Sequence, residues 1–356
     1  MHSTISKSIL FTQAKTVFLH PYRQSLNLMK TTRFPIFLLL TLFSGLAIIT
    51  ACKEKNQDYP PHTWSEYSYT NSGIGLRDIS VIFYESDHSS WLGAKGNEGL
   101  LYFDGYNWTA FDKSNTGIDF DSLTSMSRDG IGNLWVGWKS GLATFDGNTW
   151  KQISLFNGLC VTSIVVEGIS DIRVGVKGES GGSALYQNSQ WTFYTPANSE
   201  IPSANINAMT SDHNQVLWLA TADKGIVRLR NGLWESMSNS LSLISQNFTS
   251  ITLSKDGSIW AGSMSGQLIH FYNDTALVLN TGTSKPISSI LIADDNKTWC
   301  GTLGAGLINF DGQTWTSFTA ENDAELPSDD ILYLTKSDPG LMLFSIPGGK
   351  VLLNKQ

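Results

Sequence analysis

The stretch 134-LWVGWKSGLATFDGNTW-150 crowds three tryptophans and three glycines into seventeen residues, and 298-TWCGTLGAGLINFDGQTW-315 repeats it almost word for word. Four more copies start at Trp91, Arg173, Trp218 and Trp260, and a worn one, LFSIPGGKVLL, starts at Leu343. Successive copies are 44, 38, 45, 42, 39 and 44 residues apart. That period matches one four-stranded propeller blade.

The wording inside each copy explains the period. In Leu134-Trp135-Val136-Gly137, side chains alternate between the two faces of a strand, so Leu134 and Val136 face one neighbouring sheet and Trp135 the other. Gly137 shares the tryptophan face and leaves room for the next sheet. Gly141 suits the turn into the third strand. An outer aromatic then follows five positions after the end of that strand: Phe103/Trp108, Phe145/Trp150, Tyr186/Trp191, Leu229/Trp234 and Phe310/Trp315, while Phe271/Ala276 loses the second ring. Three copies place Asp-Gly between the two, at Asp104, Asp146 and Asp311, as a tight hairpin requires. Each unit reads strand, turn, strand, glycine loop, strand, turn, strand, and no helical period separates the units.

The last unit stops before an outer strand. The segment 62-HTWSEYSY-69 matches 313-QTWTSFT-319, and Trp64 precedes Trp91 by 27 residues, as Trp108 precedes Trp135. The expected fold is therefore an all-β, seven-bladed β-propeller over residues 62–356. Its last blade is closed by the N-terminal strand at about 62–69, which hides two open sheet edges.

These phrases resemble the two-component regulator propeller repeats, whose pattern runs roughly I/L-W-x-G-T-x-x-G-L-x-x-F/Y-x-G. The resemblance spans about residues 62–356 and is strongest around Trp135 and Trp299. It implies an extracytoplasmic, ligand-binding propeller of the kind that serves as the sensing part of hybrid kinases. No kinase-like or β-sandwich segment follows the repeats here, so the expected role is sensor-like or scaffolding without a kinase of its own.

Residues 1–51 carry Lys7, Lys15, Arg23, Lys30 and Arg33 and no acidic residue. From Met29 the chain reads as a secretory leader: a basic start, an apolar run from Phe34 to Ile49, then small residues before Cys52. Ile49-Thr50-Ala51-Cys52 resembles the lipobox of bacterial lipoproteins, which implies a diacylglyceryl group on Cys52 and cleavage just before it. Residues 1–51 are thus read as a signal peptide with an over-long start, Met29 being the true one, and 52–61 as the lipidated cysteine and its tether. Lys53 follows the cysteine, not the Asp of inner-membrane retention, so the expected location is the bacterial envelope, lipid-anchored at the outer membrane, in either leaflet.

The remainder has 19 basic against 31 acidic residues. So acidic a body repels phosphate backbones, and nucleic acid is not an expected partner. With Cys52 acylated, Cys160 and Cys300 are expected to be buried free thiols, and neither a metal site nor a cofactor is expected.

Propeller ligands usually meet the loops between second and third strands. Lys95, Lys139 and Lys177 stand four residues after the repeat's tryptophan position, Lys224 stands two later in its blade, and Met264, Leu303 and Pro347 take the same place elsewhere. Half the rim is therefore basic and half apolar, and Trp138 is expected to lie exposed beside Lys139. The candidate ligand-binding residues are Lys95, Trp138, Lys139, Lys177 and Lys224, with a glycan or a protein as partner. No catalytic residues are assigned, since His62, His88, His213 and His270 fall at unrelated positions and no nucleophile or metal motif appears. The expectation is a binding protein, not an enzyme. A lyase or hydrolase of extracellular polysaccharide is the alternative.

Overall fold

The computed structural model describes residues 63–355, apart from 69–74, 76–77, 86–88, 239–240, 242, 273, 324 and 338–341. The leader, Cys52 and the tether lie outside the described residues, as do His62 and His88. The rest forms seven four-stranded antiparallel sheets. Six follow chain order, as blades 1 to 6 at residues 79–111, 123–152, 160–194, 206–236, 248–280 and 287–318. Blade 7 joins Tyr333–Lys336, Met342–Ile346 and Lys350–Lys355 to the N-terminal strand Thr63–Tyr67. That strand runs antiparallel to Lys350–Lys355, with Trp64 opposite Asn354 and Tyr67 opposite Val351. The seven-bladed ring closed by its own beginning is the observed fold.

Packing follows the alternation read from the sequence. Leu134 and Val136 join a core with Leu100, Phe120 and Leu123, toward blade 1, while Trp135 joins one with Val161 and Ile164, toward blade 3. Gly137 makes the second contact possible: a β-carbon there would stand 2.4 Å from Val161 Cγ1. Gly93, Gly175, Gly262 and Gly301 are seats of the same kind for Leu123, Ile206, Ile287 and Ile331. Each of these residues lies at or next to the start of the following blade, so at five junctions one apolar side chain is wedged onto the glycine of the sheet before it, while blades 4 and 7 carry Ala220 and Ser345 in the glycine's place.

Two further sets of bonds hold the ring. The bulge in each first strand carries Ser80, Thr124, Thr162, Asn207, Thr249 or Ser288. These side chains donate to Leu123 O, Val161 O, Ile206 O, Phe248 O, Ile287 O and Ile331 O at 2.5 to 2.7 Å. Six successive blade junctions are thus tied near the axis. Leu332 occupies the corresponding place in blade 7, where no such donor exists, and the closing strand holds that junction instead.

The second set anchors the tryptophans. The indole N–H of Trp91 donates to Glu85 at 3.2 Å, Trp135 to Asp129 at 2.9 Å and Trp218 to Asp212 at 3.1 Å, always six residues upstream. Blade 3 puts Arg173 in the tryptophan position, and the bond becomes an ion pair with Glu167 at 2.9 Å. Both satisfy a donor that burial would otherwise leave unpaired.

The hairpin pairs form as expected, with ring centroids 4.6 Å apart for Phe103/Trp108, 4.8 Å for Phe145/Trp150 and 4.5 Å for Phe310/Trp315. The intervening Gly105, Gly147 and Gly312 have φ of 95°, 98° and 96°. Gly141 follows the turn into the third strand and faces Trp138; its φ is not positive, and a side chain there would meet the Trp138 ring, 2.3 Å from its β-carbon.

Candidate axial face

Every second strand runs the same way through the ring, so the loops that follow emerge on one face. Hydrogen bonds fix the equivalence: Lys95 N donates to Asp78 O, Lys139 N to Asp121 O, Met264 N to Asn247 O and Leu303 N to Pro286 O. Lys177 sits opposite Cys160 in the same register. Lys95, Lys139 and Lys177 therefore end equivalent strands of blades 1, 2 and 3 on one face, and Lys224 lies in the corresponding loop of blade 4. All four are exposed. Met264 and Leu303 are exposed hydrophobics at 48% and 38%, and Pro347 is exposed, so the apolar half of the rim is present too.

Trp138 does not belong to this surface. It is 1% exposed and corrects the expectation of a stacking platform. Its ring folds back beneath Gly141 and meets Phe120 edge-on at 5.4 Å. The reason is parity: Trp138 follows Leu134 and Val136 on one face of the strand, the face that blade 1 covers. Ala94, Val176, Thr221, Ser263, Thr302 and Ile346 hold the same place and are buried as well.

Cys160 also differs from expectation. It is half-buried at the rim, where the charges of Lys177, Lys139 and Asp121 reach it. Burial raises its thiol pKa, and the two ammonium groups oppose that rise. Cys300 is fully buried, and its thiol is pushed up to about 12. Among the described residues no cluster of metal-ligating side chains exists.

The loops are braced by the connections that enter the next blade. Gly96 N donates to Ser122 Oγ at 2.9 Å, Gly158 N to Ser140 O at 2.9 Å, and Gly304 N and Gly306 N both donate to Asp329 O. Three carboxylates on this face serve the bracing: Asp78 accepts from Gly348 N at 3.1 Å, Asp223 from Ser203 Oγ at 2.5 Å and Asp329 from Ala320 N at 2.7 Å. The lysines are left over. Among the described residues the lysines in ion pairs are Lys113, Lys255, Lys297, Lys336 and Lys350, none of them on this rim. Lys177 Nζ donates to Asn207 Oδ1 at 3.1 Å, which draws it toward the axis. The face can therefore offer fixed cations on one side and apolar side chains on the other. The described histidines are elsewhere: His213 in a turn at the far end of blade 4, and His270 inside blade 5, stacked on Trp260 at 4.0 Å.

No protein-family model and no curated protein sequence matches the chain. Solved structures do. The extracellular domain of a B. thetaiotaomicron protein described as a hybrid two component system aligns with a TM-score of 0.68 at 17% identity, over 82% of this chain and 39% of that one. This chain thus spans about two fifths of that domain. A catalytically inactive variant of virginiamycin B lyase from Staphylococcus aureus, with quinupristin, aligns at 0.64 and 13% identity, over 83% of this chain and 100% of the lyase. YCF48 bound to D1 peptide aligns at 0.63 and 15% identity, over 84% and 98%. At such identities the likeness carries the propeller fold, which serves a sensor domain, an enzyme and a peptide-binding protein alike.

Proposed function

We propose that the chain is an extracytoplasmic lipoprotein, anchored through Cys52 to the outer membrane, whose propeller holds a protein partner on its axial face. One observation carries this reading. A body with a net charge of −12 outside its leader displays four exposed lysines on successive blades, and none of them is in an ion pair. Lysines left in this state on a rigid rim favour an acidic partner segment, while Met264, Leu303 and Pro347 favour an apolar side chain beside it. With Trp138 buried, the rim loses its sugar-stacking ring, and this shifts the reading from a glycan to a protein at this face. The mechanism is display: the lipid tethers, the braced loops stay preorganised, and binding follows from complementarity. A lyase reading that works through a histidine finds no support at this face, since neither described histidine lies there.

Capture of envelope proteins by the full chain in detergent tests the proposal. A partner rich in acidic residues is expected, bound in a salt-sensitive manner. Changing Lys95, Lys139 and Lys177 together to alanine is expected to weaken capture by about threefold to a hundredfold, at roughly 0.2–1 kcal/mol per exposed pair. Equal capture by the triple variant, or capture that ignores salt, would overturn it.

A further inference from the structure

Blade 2 departs from the repeat on the face it turns toward blade 3. In blades 1, 4 and 5 the tryptophan of the second strand is covered by its cross-strand neighbour, while in blade 6 the neighbour is Asn309 and Phe318 stacks on Trp299 instead. Tyr102 lies on Trp91 at 4.6 Å, the Arg228 guanidinium stands 5.5 Å from the Trp218 ring, and His270 stacks on Trp260 at 4.0 Å. In blade 2 the neighbour opposite Trp135 is Thr144, with Lys151 next outward. Trp135 itself is buried at 5% exposed, and beside the short Thr144 a groove of about 770 Å³ opens on the surface between blades 2 and 3.

Its far wall is aromatic. Tyr186 and Trp191 of blade 3, both half-buried, stand 5.8 Å and 6.1 Å from Trp135. Lys151, Asp146 and Asp171 line the polar side, along with several hydroxyl and amide groups. Asp146 is held below the ordinary carboxylate range by the backbone N–H groups of Thr149 and Asn148, so it remains an acceptor. Asp171 is positioned by Gln187 Nε2 at 2.7 Å. None of these residues belongs to the axial face.

We infer that this groove is a second binding site, for a short neutral oligosaccharide. Its volume falls in the range of small-ligand pockets, about 300–1,000 Å³. Partly exposed aromatic rings stack on the apolar faces of sugar rings, and carboxylate and ammonium groups at the edge can accept from and donate to hydroxyls. Three lining carboxylates, Asp129, Asp146 and Asp171, against the one ammonium of Lys151 disfavour an anionic sugar. An extended peptide would need a longer free strand edge than the three residues of Trp150–Gln152.

Titrating the full chain in detergent with linear neutral trisaccharides of glucose, mannose, galactose and xylose, followed by tryptophan fluorescence, tests this assignment. At least one is expected to give a saturable change. Thr144→Tyr installs the residue that blade 1 already tolerates at Tyr102, and is expected to weaken binding at least tenfold with the melting temperature kept. Lys151→Ala, on an exposed side chain, is expected to weaken it severalfold without touching the fold. The axial triple variant is expected to bind the saccharide normally, which separates this site from the proposed protein face. No saturable change with any trisaccharide, or unaltered binding by Lys151→Ala and a folded Thr144→Tyr, would overturn the assignment.

Discussion

Replacing Trp138 with alanine is expected to destabilise the propeller by about 3–5 kcal/mol, the usual cost of emptying a buried aromatic site. The ring is 1% exposed, is wedged beneath Gly141 and meets Phe120 at the seam between blades 1 and 2. A cavity there cannot collapse readily, because the seam joins two sheets that are each fixed by further neighbours. For a chain of this size the melting temperature should fall by on the order of 10 °C. Lys139→Ala, one residue away and exposed, should stay within roughly 0.5 kcal/mol of the parent. Thermal unfolding of the two variants side by side checks the contrast. An unchanged melting temperature for Trp138→Ala, combined with lost partner binding, would restore the exposed-platform reading.

The second large effect is expected from removing the closing strand. A chain starting at Ser68, compared with one starting at Pro61, lacks every backbone pair from Thr63 to Tyr67. Lys350–Lys355 then becomes an open edge. The junction between blades 7 and 1 is also the one without an axial side-chain donor, since Leu332 replaces the serine, threonine or asparagine found at the other six. What remains there is apolar packing, chiefly Val351 and Tyr333 with Ile79 and Leu92. The loss should consume much of the about 5–15 kcal/mol that keeps a domain folded. Calorimetry and sedimentation of the two chains are the measurements. The shorter one should melt far lower and self-associate; a monomer with an unchanged melting temperature would contradict this expectation.

The fold was legible because a propeller repeats its constraints. The glycine after Trp135 and the aromatic pairs each mark one contact that most blades make, and such contacts leave a period in the sequence. The match of His62–Tyr69 to Gln313–Thr319 exposed the closure for the same reason. The axial tie also left a signal, a serine, threonine or asparagine as the second residue of most first strands, but its partner is a carbonyl in the next blade, which no spacing reveals. The acid six residues before Trp91, Trp135 and Trp218 is visible once the indole bond is known, and Glu167 with Arg173 shows that the pair is kept while its chemistry changes.

The candidate site was legible only in part. Equivalent positions placed the lysines on one rim. Trp138 sits beside the exposed Lys139, which suggests a surface position, but its parity with Leu134 and Val136 argues for the interior, where the structure has it. Cys160 was read as a buried strand residue, yet it sits where the strand meets the rim, and the strand's end is not marked by its apolar context. The groove beside blade 2 is formed by two sheets, with Thr144 and Lys151 on one and Tyr186 and Trp191 on the next, and no spacing in the sequence reveals that juxtaposition.

Disulfide trapping between Ser65→Cys and Leu353→Cys, with Cys160 changed to serine, tests the closed ring most directly, because these two positions are register partners at opposite ends of the chain. Mild oxidation should link nearly every molecule and raise the melting temperature, as expected when a loop of nearly the whole chain is closed in its native geometry. A pair that stays reduced under those conditions, or links only between molecules, would contradict it.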